Sequence, residues 1–133
     1  MGAPCVLASR RPAEPHRRRP FRQALRGVNR GERRALRHYR LRGYRLLDAN
    51  ARVGRYELDL VLRRGRRLVV VEVKEKGGTG YGGPLEMIDP EKVRRVRIAA
   101  RGWLAAHPEV AGLDIVLEAA GVTGRRVERV PLG

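Results

Sequence analysis

Cysteine occurs once, at Cys5, and histidine only at His16, His38 and His107. A lone thiol excludes an internal disulfide and any zinc cluster built on several thiolates, and the scattered histidines match no metal-site spacing. Long apolar runs are missing as well: no stretch of about 18 residues reads as a membrane span. The opening MGAPCVLAS is too short and too interrupted for a secretory signal core, and Val6 stands where a myristoylation site requires Ser or Thr. A reducing, cytoplasmic setting is the expectation. Acidic residues are scarce, 14 against 30 Lys and Arg, for a formal net charge of +16. That excess points to a polyanionic partner, nucleic acid before membrane, although solubility or an arginine-rich coding bias would produce it too.

What is present fits one domain: 133 residues, 42% of them hydrophobic, enough for a modest core. The charge is uneven, since residues 1–42 hold 13 basic and 2 acidic side chains while residues 43–133 hold 17 and 12. Residues 1–27 mix proline and arginine without apolar periodicity, so a disordered basic arm is expected there, gripping phosphates or idle. Residues 28–133 are then the folded domain. A helix is expected from Gly31, with Ala35, Leu36 and Tyr39 as its apolar stripe and Gly43 as its stop. Glu32 lies on that same stripe, facing the core side, though an acid that complements a helix N-terminus explains the position equally well.

Three strands follow, YRLLDANA, RYELDLVLR and RLVVVEVKE, expected as an antiparallel meander. The next helix has Asp89 as N-cap, Pro90 at its first position and Pro108 beyond its end. Val93, Val96, Ala100, Trp103 and Leu104 make its apolar face, which places Trp103 in the core. Arg94, Arg97 and Arg101 form a basic ridge on another face, suited to phosphate contacts or to plain solvation. LDIVLEAA and RRVERV supply two closing strands, so the order is α-β-β-β-α-β with a short last strand. GTGYGG, residues 78–83, imitates a dinucleotide-binding fingerprint, but Pro84 follows where a helix would have to begin. It reads instead as a mobile loop at the mouth of a site, where Tyr81 stacks on a base or covers the core.

The chemistry concentrates in YELDLVLRRGRRLVVVEVKEK, residues 56–76. A buried charge costs several kcal/mol unless it is paired, protonated or metal-bound. Strand alternation puts Glu57, Asp59 and Val61 on one face, with Leu58, Leu60 and Leu62 on the other, and groups Glu72 with Lys74. A two-residue turn with Gly65 first sets Asp59 opposite Glu72 and Glu57 opposite Lys74. Directly opposed carboxylates repel, which raises a pKa or calls for a cation, and hard oxygen ligands favour Mg²⁺ or Mn²⁺. Phosphodiester hydrolysis needs such an ion, an activated water and a counter-charge, and Lys74 is placed to orient the water or to steady the transition state.

The segments GERRALRHYRLRGYRLLDAN, YELDLV, LVVVEVKEK, YGGPLEMIDPEKVRRV and LDIV, in this order, resemble the YraN-like family of bacterial proteins, over roughly residues 30–117. That family is placed in the restriction-endonuclease-like, PD-(D/E)xK superfamily, near archaeal Holliday junction resolvases. The resemblance implies an α/β nuclease core, a mixed central sheet flanked by helices. It further implies a metal site at Asp59 and Glu72, Lys74 as catalytic lysine and Glu32 as a further catalytic acid. Two departures stand out: Tyr56 and Leu58 occupy usual glycine and isoleucine positions, and Glu75 and Lys76 replace a usual Thr-Arg. The expected function is a Mg²⁺- or Mn²⁺-dependent DNA endonuclease selective for branched or single-stranded structure, a homodimer by resemblance to the resolvases. The expected nucleic-acid contacts are Lys76, Tyr81, Lys92, Arg94, Arg95, Arg97 and Arg101. The competing expectation is a non-catalytic nucleic-acid binder, an RNA or ribosome partner, that keeps the fold.

Overall fold

The computed structural model describes residue 25 and residues 27–76 and 88–133. The expected basic arm, apart from residues 25 and 27, lies outside the described residues, as do Tyr81 and the loop around it. Helix α1 (Arg30–Arg40) starts at Asn29, whose side chain accepts the Glu32 N–H while the Glu32 carboxylate accepts the Asn29 N–H in return, a capping box. Strands β1 (Arg45–Val53), β2 (Tyr56–Arg64) and β3 (Arg67–Glu75) follow, then α2 (Pro90–Ala105), a 3₁₀ turn (Pro108–Val110), β4 (Asp114–Thr123) and β5 (Arg126–Pro131). The five strands lie in sequence order in one sheet. All neighbours are antiparallel except β3 and β4, whose parallel pairing requires the α2 crossover and makes the sheet mixed. The expected α/β order is therefore observed, and it is compatible with a nuclease-like core. Among the described residues no helix is long and apolar enough to cross a membrane.

The strand β3 is apolar on both sides because both helices cover it. Val69 and Val71 pack in one cluster with Ala35, Leu36 and Tyr39 of α1. Leu68 and Val70 pack in the other with Val96, Ala99 and Trp103 of α2. Most of the few buried polar side chains are hydrogen-bonded, Tyr44 Oη and Arg67 Nε being the exceptions among the described residues. Trp103, the largest fully buried side chain, donates its indole N–H to Asp48 Oδ2 at 3.0 Å. Glu118 accepts from Arg129 at 2.8 and 3.2 Å and from the Tyr39 hydroxyl at 3.1 Å, joining α1, β4 and β5.

The β2–β3 turn follows the expected register, Arg64 facing Arg67 and the ladder running back to Leu60 and Val71. Gly65 has φ +58°, the left-handed region that the first position of this turn demands. Beyond Leu60 the expectation fails in two respects. Leu58 does not share a face with Leu60 and Leu62, for it packs in the α2 cluster while they pack in the α1 cluster. Glu57 does not face Lys74, because β2 there pairs with β1 alone, Glu57 against Arg52. The cause is a local break in alternation. Asn50 of β1 takes φ +48°, and Ala49 and Ala51 on either side of it fall in opposite clusters, as Leu60 and Leu58 do on β2. Asp59 stands at that break.

Candidate functional site

Freed from the ladder, Asp59 turns its carboxylate to β3, and Oδ2 accepts the Val73 backbone N–H at 2.8 Å. A side chain thus replaces a strand carbonyl at the point where β2 and β3 part. Glu72 is one ladder step past Val71, its side chain 12% exposed. Its Oε1 meets two ammonium groups, Lys92 at 3.4 Å and Lys74 at 3.8 Å. Lys92 arrives from the first turn of α2, where its own N–H is bonded at 2.8 Å to the Asp89 N-cap carboxylate. Beside Glu72 a cleft of about 210 Å³ opens, lined also by Arg55, Tyr56, Glu57, Lys92 and Arg95.

The electrostatics follow from burial and crowding. Burial, then the Glu72 charge, pushes the Asp59 carboxyl up to about 8, against the lowering effect of the Val73 N–H. Burial also raises Glu72, with the Lys92 ammonium the strongest opposing influence. Burial and the neighbouring like charge both favour the protonated form of Asp59. Glu32 is buried at 5% exposure, and its carboxyl is raised by burial and by the Glu57 and Glu72 charges. It therefore does two jobs: it closes the α1 cap, as its place near a helix start suggested, and it adds a third acid to the field felt by Asp59.

The structure sets Lys74 and Lys92 against Glu72, with Asp59 on the adjoining strand and the Glu32 charge felt from the α1 side. Of the expected phosphate contacts it places Lys92 and Arg95 at the cleft and Arg94, Arg97 and Arg101 elsewhere. Arg94 is bonded to Glu91 at 3.2 Å, and Arg95 pairs with the same carboxylate at 3.5 Å while also lining the cleft. Arg97 and Arg101 line a separate hollow near Pro131 and Gly133. Lys76 continues the line of β3, its backbone N–H bonded to the Val122 carbonyl at 3.0 Å. Glu75 lies on the α1 side, so close to Gly31 that a Cβ there would stand 2.8 Å from Oε2. Its charge complements the helix N-terminus there. Sequence reasoning missed Arg55, Tyr56 and the ion pair of Lys92. The Asp89-Pro90 cap was the available signal for Lys92, since it fixes which residues fill the first turn.

Among the described residues no three His, Cys, Asp or Glu side chains gather as a ready-made ligand set. The Asp59–Glu72 donor set nevertheless suits a hard cation that takes one or two carboxylates and fills its remaining positions with water and phosphate oxygens.

An α/β fold with a mixed five-stranded sheet, and carboxylates and lysines clustered where β2 and β3 diverge, defines the class of protein. Within that class the chain belongs to the uncharacterised protein family UPF0102, whose pattern matches residues 31–118. It is 47% identical over 94 residues to a UPF0102 protein of Alkalilimnicola ehrlichii, covering 69% of this chain and 75% of that one. It is also 41% identical over 104 residues to UPF0102 protein Francci3_3586 of Frankia casuarinae, covering 75% and 88%. A third relative, from Persephonella marina, is 42% identical over 97 residues, covering 73% and 83%. The matched span contains every acid and lysine of the cluster.

Proposed function

We propose that this chain is a metal-dependent endonuclease hydrolysing DNA phosphodiester bonds, with Asp59 and Glu72 holding Mg²⁺ or Mn²⁺. The observation that carries the reading is the Glu72 carboxylate set against two ammonium groups at an open cleft, with the Asp59 carboxyl raised by burial and by the Glu72 charge. A group that must keep a proton to remain buried has a natural substitute in a divalent ion. When bound, such an ion polarises a phosphoryl oxygen and acidifies a water. The chain's own residues do the rest. Lys74 and Lys92, set against Glu72, present positive charge to a phosphate seated beside it, and Glu32 deepens the negative field that draws the cation. Arg55 and Arg95 at the cleft wall contact neighbouring phosphates. In this reading the protein acts in the cytoplasm, as a homodimer, on branched or single-stranded DNA.

A second reading, a nucleic-acid binder without catalysis, is favoured by one observation: the Glu32 carboxylate already has a structural task in the α1 cap. The deciding experiment is cleavage of labelled single-stranded, duplex, flap and four-way-junction DNA, and of RNA, with Mg²⁺ or Mn²⁺. Wild type should cut at least one, and Glu72→Ala should lower the rate at least about a hundredfold. Binding by both proteins with cutting by neither would make the second reading the better one.

A further inference from the structure

The outward face of α1 carries Arg30, Arg33, Arg34 and Arg37, spaced i, i+3, i+4 and i+7 along one stripe. With Arg42 after the helix and Arg125 from the β4–β5 turn, they line a hollow of about 640 Å³ that includes no acidic side chain. Elsewhere several arginines have carboxylate partners, Glu91 for Arg94 and Arg95, Glu118 for Arg129 and Glu128 for Arg126, while Arg63, Arg64 and Arg66 bond to backbone carbonyls. Among the described residues Arg30, Arg33, Arg34, Arg37 and Arg125 have no ion pair, and Arg42 bonds only to the uncharged His38 carbonyl. Guanidinium groups converging without counter-charge repel one another, so such a hollow is at its lowest energy when an anion fills it.

We propose that this groove holds the sugar-phosphate backbone of a nucleic-acid strand and feeds it toward the carboxylate cluster. The direction is set along the helix axis only: Arg30 stands at the same end of α1 as Glu32, which points to the opposite, buried face, and Arg37 lies at the far end. The stripe from Arg30 to Arg37 is about 10 Å long, seven residues at about 1.5 Å of rise each. Planar guanidinium forks fit phosphate oxygens in pairs. Acidic lipid suits the site less well, because stable surface binding adds apolar insertion to charge and the one strongly exposed apolar side chain at the hollow is Leu41.

The inference rests on the nucleic-acid half of the proposed function and is independent of cleavage. The test is fluorescence anisotropy on labelled single-stranded DNA, duplex DNA and RNA of about 20 nucleotides, titrated across salt. It compares wild type with Arg33→Glu/Arg37→Glu and with Arg97→Glu/Arg101→Glu, which removes the same charge from the other helix. Arg33→Gln/Arg37→Gln guards against effects of new acids, and circular dichroism confirms folding. The groove variants should weaken binding at least about tenfold and lower the salt slope by about 2, with the control under about threefold. No binding by wild type, no loss in the groove variants, equal loss in the control, or a larger loss on anionic phospholipid vesicles than on oligonucleotides would each overturn it. Cleavage is read in the same samples. Groove-dependent binding without cutting sinks the nuclease reading alone, and Glu72-dependent cutting with groove-independent binding sinks this one alone.

Discussion

Asp59 joins the sheet's architecture to its chemistry. Its folded carboxyl holds a proton far more tightly than an unfolded one, so deprotonation costs stability as pH rises from the ordinary 3.8 toward about 8. Asp59→Asn keeps an oxygen for the Val73 N–H and a donor toward Glu72, and it never ionises. Without metal, the melting temperature of wild type should therefore fall relative to Asp59→Asn through that window. The gap should be smallest near pH 4 and reach roughly 5 °C at pH 8. A gap that is flat with pH would show that Asp59 does not hold its proton in the fold. With Mn²⁺ present the order should reverse at pH 8, because only the wild type can exchange its proton for the ion.

At the scale of elements, α2 and β1 fit through one glycine. A Cβ on Gly102 would collide with the Val53 side chain, so α2 sits this close to the sheet only because position 102 has none. Gly102→Ala should destabilise by about 1–3 kcal/mol despite the helix propensity it gains, and Val53→Ala should recover much of that in the double variant. Chemical denaturation of the four proteins measures the coupling, and additivity within about 0.5 kcal/mol would rule the clash out. Elements were the most legible part of the sequence. The α2 start follows from Asp89 and Pro90, and the β2–β3 register from Gly65 and the apolar alternation, as far as Leu60 and Val71. The α1 helix begins one residue before the expected Gly31, behind an Asn29 cap that the apolar stripe does not announce. Past that point legibility ends for a physical reason: the turnover at Asn50 and Asp59 involves neither glycine nor proline, so nothing local announces that both strands change face there. Lys92 at Glu72 depends on where α2 docks, which spacing along the chain does not encode. The pairing of Arg94 and Arg95 was legible, because Glu91 precedes them by three and four residues, the spacing at which a helix neutralises its own charges.

For the whole molecule, a net charge of +16 on 133 residues means that compaction gathers like charges, most densely around the α1 hollow. Screening should relieve this. Raising monovalent salt from about 50 to 500 mM without ligand should lift the melting temperature by a few degrees, and Arg33→Gln/Arg37→Gln should show a smaller rise. An equal rise in both would locate the repulsion elsewhere. The site itself is distributed: β2 and β3 give Asp59, Glu72 and Lys74, and the starts of the two helices, on opposite sides of the sheet, give Glu32 and Lys92. The manner in which β2 and β3 part also sets a timescale. A strand carbonyl leaves its partner only when paired backbone unzips, whereas the Asp59 carboxylate can quit Val73 by rotating about its own side-chain bonds, in picoseconds to nanoseconds for an unhindered side chain. In the proposed reading, exchange of proton for cation at this seam needs rotation of one side chain and no opening of the paired backbone.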